Sequence, residues 1–117
     1  MKTSDHTLPQ LTESQFTTFL LIYAGHVDYN YTEEKITFVK SQDKYDDYSE
    51  MYNLFNNMAD YASLKVILKH KDFYYNTTAK KELMYNNIIK LFHVDGDYSR
   101  GEKTFLQFLD KMVKREA

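Results

Sequence analysis

Apolar residues recur at spacings of three and four along most of the chain, which is typical of amphipathic α-helices. The clearest early stripe consists of Phe16, Phe19, Leu20, Tyr23 and Val27. Residues 12–15 have the spacing of a capping box, and Leu11 and Phe16 flank it as a hydrophobic staple would. We therefore expect a first helix that opens at Thr12 and stops near Gly25-His26.

The same periodicity predicts further helices, each opened by a polar residue suited to the positive helix end. They begin at Thr32, at Ser49, at Asp60, at Thr77 or Thr78, and at Ser99. We expect the fourth to end near Lys71-Asp72, with residues 73–77 as a connection. The last two helices carry these apolar stripes: Met84, Ile88, Leu91 and Phe92, then Phe105, Leu106, Leu109, Met112 and Val113.

This pattern predicts an all-α fold of about six to seven short helices in one compact orthogonal bundle. Residues 1–10 lack periodicity and hold the single proline, so we expect a flexible N-terminal arm followed by one helical domain over residues 11–117. The length of 117 residues suits one domain, and only three glycines interrupt the chain.

Composition narrows the classes of function. No cysteine is present, which excludes disulfides and thiolate metal sites, and the net charge of −2 argues against nucleic acid as a partner. The longest apolar run, residues 19–25, is far shorter than the ~20 residues of a membrane span. The N-terminus has no secretory pattern, so a cytoplasmic location is expected. Most of the eleven tyrosines are expected to pack at the edges of the core.

A duplicated loop is the most specific feature of the sequence. Residues 26–32, His-Val-Asp-Tyr-Asn-Tyr-Thr, align without a gap with residues 93–99, His-Val-Asp-Gly-Asp-Tyr-Ser. Four of the seven positions are identical, and a glutamate, Glu34 or Glu102, follows each loop closely. This match predicts two pseudo-equivalent helix–Asp-loop–helix units.

The oxygen-rich side chains of the two loops are candidate ligands for a divalent cation such as Ca²⁺, Mg²⁺, Mn²⁺ or Zn²⁺. The candidates are Asp28, Asn30, Glu34, Asp95, Asp97 and Glu102. The competing interpretation is purely structural, since aspartate and asparagine in such loops also bond the backbone just ahead of them.

An EF-hand calcium loop is a partial match only. Its sixth position requires glycine, but this chain has Glu33 and Arg100 there. Its twelfth position requires a bidentate glutamate, but this chain has the apolar Val39 and Leu106. An EF-hand-like calcium-binding protein is therefore kept as an alternative.

His26 and His93 provide a narrower alternative, a zinc site beside the two aspartates. Histidine at the end of a helix more often bonds the terminal carbonyl groups, and we favour that role. No linear motif pairs a nucleophile with a base, and no phosphate-binding glycine loop or His-Glu-x-x-His sequence occurs. We therefore expect a protein that is not an enzyme.

The segments 19–28 (FLLIYAGHVD) and 91–102 (LFHVDGDYSRGE) resemble the signature of TerB-like domains. That signature is an apolar helix followed by Asp-Gly-Glu/Asp, an apolar residue, Ser/Thr, two variable residues and Glu. The second copy keeps nearly all of it. The first copy departs at Tyr29, Asn30 and Lys35, and the resemblance is weak between residues 43 and 80.

This resemblance implies an all-helical fold in which the two Asp loops approach each other. TerB-like domains are associated with tellurite and chemical-stress resistance, occur beside chaperone J-domains, and are thought to bind metal at their acidic loops. The resemblance therefore implies a non-catalytic interaction module with a protein partner. If the loops instead lie on opposite faces, only a helical scaffold without a ligand remains.

Overall fold

A computed structural model describes residues 8–96 and 98–115, and within them the fold is all-α. The described helices are α1 (Glu13–Gly25), α2 (Glu33–Ser41), α3 (Tyr48–Asn56), α4 (Asp60–Tyr74), α5 (Thr78–His93) and α6 (Arg100–Arg115). The all-α prediction is confirmed, and all six described helices begin within one residue of the expected position.

Side-chain caps explain where several helices begin. Thr12 and Gln15 form the predicted capping box, in which each side chain accepts the other residue's backbone N–H. Thr32 and Thr77 likewise accept a backbone N–H in the first turns of α2 and α5. The N-cap residues of α3 and α4, Asp47 and Ala59, make no side-chain cap, and Asp60 is the first helical residue of α4 and not its predicted cap.

The fourth helix is longer than the sequence pattern indicated. It continues to Tyr74, so Phe73 and Tyr74 belong to the helix and not to a connection. Tyr74 donates its hydroxyl to the carbonyl of Leu11 at 2.6 Å, and the Leu11 N–H donates to His70 Nε2 at 3.0 Å. These hydrogen bonds to Leu11 stabilise the C-terminal end of α4. They join residues far apart in the sequence, so the local spacing of apolar residues does not predict them.

Helix α1 lies at the centre of the bundle, where α2, α3, α4 and α5 all pack against it, and α6 packs on α5. Its residues are therefore buried on several sides, including Phe16, Phe19 and Ile22. The predicted stripe of α5 is buried, as are Phe105, Leu106 and Leu109 of α6. The side chains of Met112 and Val113, and residues 1–7 of the expected arm, lie outside the described residues.

Tyrosine mostly lines the core edge, as expected. Tyr75 is buried, and these others are partly buried against the core: Tyr23, Tyr31, Tyr48, Tyr52, Tyr74, Tyr85 and Tyr98. Tyr29, Tyr45 and Tyr61 are exposed. Within the described part of the chain, none of the helices combines the length and apolar character that crossing a bilayer requires.

Candidate functional site

The two Asp loops lie side by side. The hydroxyl of Thr32 in the first loop donates to Asp95 of the second at 3.2 Å. A Cβ atom placed on Gly101 would lie 3.2 Å from both the Asp28 Cβ and the Val27 carbonyl oxygen. Glycine thus permits the start of α6 to touch the first loop, and the predicted juxtaposition is observed.

The loop histidines share two contacts in both copies, although His26 is partly buried and His93 is exposed. The Nδ1–H of His26 donates to the Ile22 carbonyl at 2.8 Å, and that of His93 donates to the Ile89 carbonyl at 2.9 Å. Each ring also contacts the tyrosine five residues later, with centroids 4.1 Å and 4.6 Å apart. The role of these histidines in bonding helix-end carbonyls is confirmed.

Backbone conformation repeats as well. Gly96 has φ of 78°, and its counterpart Tyr29 has φ of 61°. Glycine adopts this left-handed region readily, whereas a bulky L-residue there is strained. The first loop therefore keeps the backbone shape of the second at the expense of strain at a tyrosine.

A lysine ammonium lies between the two loops. Lys35 Nζ is 2.7 Å from Glu102 Oε2 and 3.3 Å from Asp28 Oδ1, and it donates to the carbonyl of Asn30 at 3.0 Å. The side chains of Lys35 and Glu102 are fully buried, and that of Asp28 is 12% exposed. The ion pair joins the first turn of α2 to the first turn of α6.

Burial alone would lower the pKa of Lys35, because it disfavours the charged ammonium. Contact with the Glu102 carboxylate and its charge, assisted by Asp28, outweighs that effect and raises the pKa of Lys35 above its ordinary value. The ammonium is therefore charged at neutral pH and supplies a permanent cation to the loops.

The predicted ligands are only partly brought together. Asp28 and Glu102 face Lys35, as does Asn30 through its backbone carbonyl, whereas Glu34 is exposed and Asp97 lies outside the described residues. Asp95 accepts the Thr32 hydroxyl. In the described part of the chain, no three His, Cys, Asp or Glu side chains gather closely enough to hold a metal ion. The six-residue cation site therefore stays a prediction.

Glu102 has a second role, which the sequence did indicate. Its Oε1 accepts the Ser99 N–H at 2.9 Å, while its own N–H donates to the Ser99 hydroxyl at 3.2 Å. This is the predicted capping box of α6. One carboxylate therefore both caps a helix and pairs with Lys35.

Sequence reasoning did not assign a role to Lys35, although the signal was present. In the gapless alignment of the loops, Lys35 falls opposite Glu102. Equivalent residues of two units meet only where they lie close to a pseudo-twofold axis, and there opposite charges can pair. Lys35, the position at which the first copy departs from the TerB-like signature, is thus the residue that joins the two copies.

An aromatic groove adjoins the first loop. It has a volume of about 370 Å³ and is lined by Tyr23, His26, Val27, Tyr29, Phe55, Asp60, Leu64, Gly101, Thr104, Phe105 and Phe108. These residues come from α1, the first loop, α3, α4 and α6. Tyr29 is 97% exposed at its rim, and Phe108 is 39% exposed.

No family model matches the chain, and no curated protein or solved structure is significantly similar to it.

Proposed function

We propose that this chain is a non-catalytic protein-interaction module of the TerB-like kind, which docks a partner in the aromatic groove beside its twin loops. The observation that carries the proposal is Tyr29, whose side chain is almost fully exposed while its backbone has a positive φ. Folding gains little from a ring that lies in water. A role in binding accounts for both the exposure and the strain.

Rigid support strengthens the proposal. The Lys35–Glu102 pair and the Thr32–Asp95 hydrogen bond fix the loop that presents Tyr29. Aromatic side chains on a rigid frame bind at low entropic cost and are enriched among residues that dominate binding energy. By its TerB-like resemblance, the partner would belong to a tellurite or chemical-stress response.

We further propose that the ammonium of Lys35, and not a divalent cation, neutralises the acidic loops. Its contacts with Asp28, Asn30 and Glu102 use oxygens that a cation would otherwise require. The module would then dock its partner without a metal switch.

Another cavity, of about 530 Å³, supports the proposal less well. Its walls include charges of both signs, Glu13 with Lys44 and Lys80, and these residues are exposed. Such a surface has no single complementary partner chemistry.

Site-specific photo-crosslinking tests the docking proposal. A benzoylphenylalanine in place of Tyr29 should give a discrete protein adduct in cells that express the chain, because the ring lies at the groove. The same substitution at Tyr45, which is 73% exposed in a different loop, is the matched control. Equal labelling from both positions, or no adduct from position 29, would contradict the proposal.

A further inference from the structure

The floor of the groove is a cluster of aromatic rings. Tyr23 lies between Phe55, with ring centroids 6.2 Å apart at 84°, and Phe105, with centroids 5.8 Å apart at 52°. Phe108 adjoins Phe105 at 6.2 Å. All four of these aromatic side chains line the groove, and aromatic π faces attract cations.

One carboxylate lines the same groove. Among the described lining residues, Asp60 alone carries a formal charge at neutral pH, and it is exposed at the start of α4. Its negative charge contributes to a raised pKa of Tyr23, after the larger effect of burial. The carboxylate of Asp60 and the ring of Tyr23 thus line the same groove.

Aromatic faces together with a carboxylate match one chemical class, a side chain with an apolar stem and a cationic end. We infer that the groove binds an arginine or lysine side chain from a basic segment of the partner protein. The stem packs against Phe105 and Phe108, the cation lies over the rings, and Asp60 accepts from it. This inference rests on the proposed docking function and names the chemistry of its partner.

Fluorescence anisotropy with two labelled peptides tests this assignment. One peptide alternates arginine and leucine, and the other has glutamate in place of each arginine. We expect the unmodified chain to bind the arginine peptide at least about tenfold more tightly, since a charge-assisted hydrogen bond contributes roughly 1.5–3 kcal/mol. Asp60→Asn should remove most of that preference.

Two matched controls accompany the peptides. Glu13→Gln neutralises another exposed carboxylate at the first position of a helix and should leave the preference unchanged. Tyr29→Ala should weaken binding of the arginine peptide, whereas Tyr45→Ala should not. NMR shifts of the Gly101 and Thr104 amides, which line the groove, locate the bound peptide.

The possible negative results distinguish the cationic assignment from the docking proposal. Equal binding of both peptides, or an unchanged preference in Asp60→Asn, would overturn the cationic assignment. If photo-crosslinking at Tyr29 succeeds but the arginine peptide does not bind, the docking proposal stands and the assignment of a basic side chain to the groove is wrong. Concentration-dependent self-association lost in Tyr29→Ala would assign the groove to a second copy of this chain and would also overturn the inference.

Discussion

At the scale of single residues, the buried pair of Lys35 and Glu102 is the most consequential contact. Moving both charges out of water costs several kcal/mol, which their attraction repays only when the remaining hydrogen-bonding groups are satisfied. Here Asp28 and the Asn30 carbonyl complete the ammonium, and the Ser99 N–H completes the carboxylate. The pair thereby specifies how α2 and α6 meet.

Lys35→Met should lower the free energy of unfolding by about 3–5 kcal/mol, because it leaves the Glu102 carboxylate buried without a counter-charge. Urea titration followed by circular dichroism measures the change. The double variant Lys35→Met with Glu102→Gln should recover part of the loss, because no unpaired carboxylate stays buried and the glutamine oxygen still accepts the Ser99 N–H. Lys80→Met, on an exposed lysine, should stay within about 0.5 kcal/mol. A double variant no more stable than Lys35→Met would argue against a buried ion pair between Lys35 and Glu102.

Alkaline pH should destabilise the fold through residues whose pKa is raised. The raised pKa of Lys35 means that its contribution is complete below about pH 10.5 and is lost as the pH passes the folded value. Burial raises the pKa of Tyr31 well above its ordinary value of 10.0, and the hydrogen bond that its hydroxyl donates to Tyr48 adds to this effect. The loss of a neutral, partly buried Tyr31 at high pH therefore destabilises the fold in the same direction. We expect unfolding free energy to fall from about pH 10 upward. The difference between the unmodified chain and Lys35→Met should shrink over that range, and a constant difference would contradict this assignment.

At the scale of elements, the two helix–loop–helix units have the same left-handed backbone conformation in their loops but place different residues there. Both loops need a left-handed residue after the aspartate, and the second unit uses Gly96 where the first uses Tyr29. Asp28 Oδ1 accepts the Asn30 N–H at 3.1 Å, which holds the first turn in place. The tyrosine is thus retained where glycine would fit with less strain.

Tyr29→Gly should raise the free energy of unfolding by about 0.5–1 kcal/mol, because glycine relieves the left-handed strain and the exposed ring contributes little packing. The reciprocal change, Gly96→Ala, should lower it by about 1 kcal/mol, although a Cβ there meets no neighbour within 4 Å. Thermal and urea unfolding measure both. A Tyr29→Gly variant that is less stable than the parent would show that the ring supports the fold and would weaken its assignment to binding.

At the scale of the whole molecule, local pattern was sufficient for the helices, whereas the approach of the two loops was predicted from their duplication and from the TerB-like resemblance. Caps such as Thr12 and Ser99 act over three residues, so they are legible in sequence. Contacts between helices that are distant in the sequence cannot be predicted in this way. Lys35 meets Glu102 only after α2 and α6 are packed, and the groove exists because five segments converge around Tyr23. The spacing of apolar residues predicts which face of a helix is buried, but it does not predict which other helices pack against that face.

The response of the melting temperature to divalent cations distinguishes a fold that depends on a metal from one whose acidic loops are neutralised by the Lys35 ammonium. A ligand that binds only the folded state raises the melting temperature in proportion to RT ln(1 + [L]/Kd). With Lys35 in contact with Asp28 and Glu102, millimolar Ca²⁺, Mg²⁺, Mn²⁺ or Zn²⁺ should leave the melting temperature of the unmodified chain unchanged. Lys35→Ala removes the ammonium and leaves Asp28, Glu102 and the Asn30 carbonyl as oxygen donors around the vacated space, so this variant should melt lower and regain stability with Ca²⁺. Asp28→Asn added to Lys35→Ala should abolish the recovery. A calcium-dependent rise in the unmodified chain would show that the acidic loops hold a metal alongside Lys35.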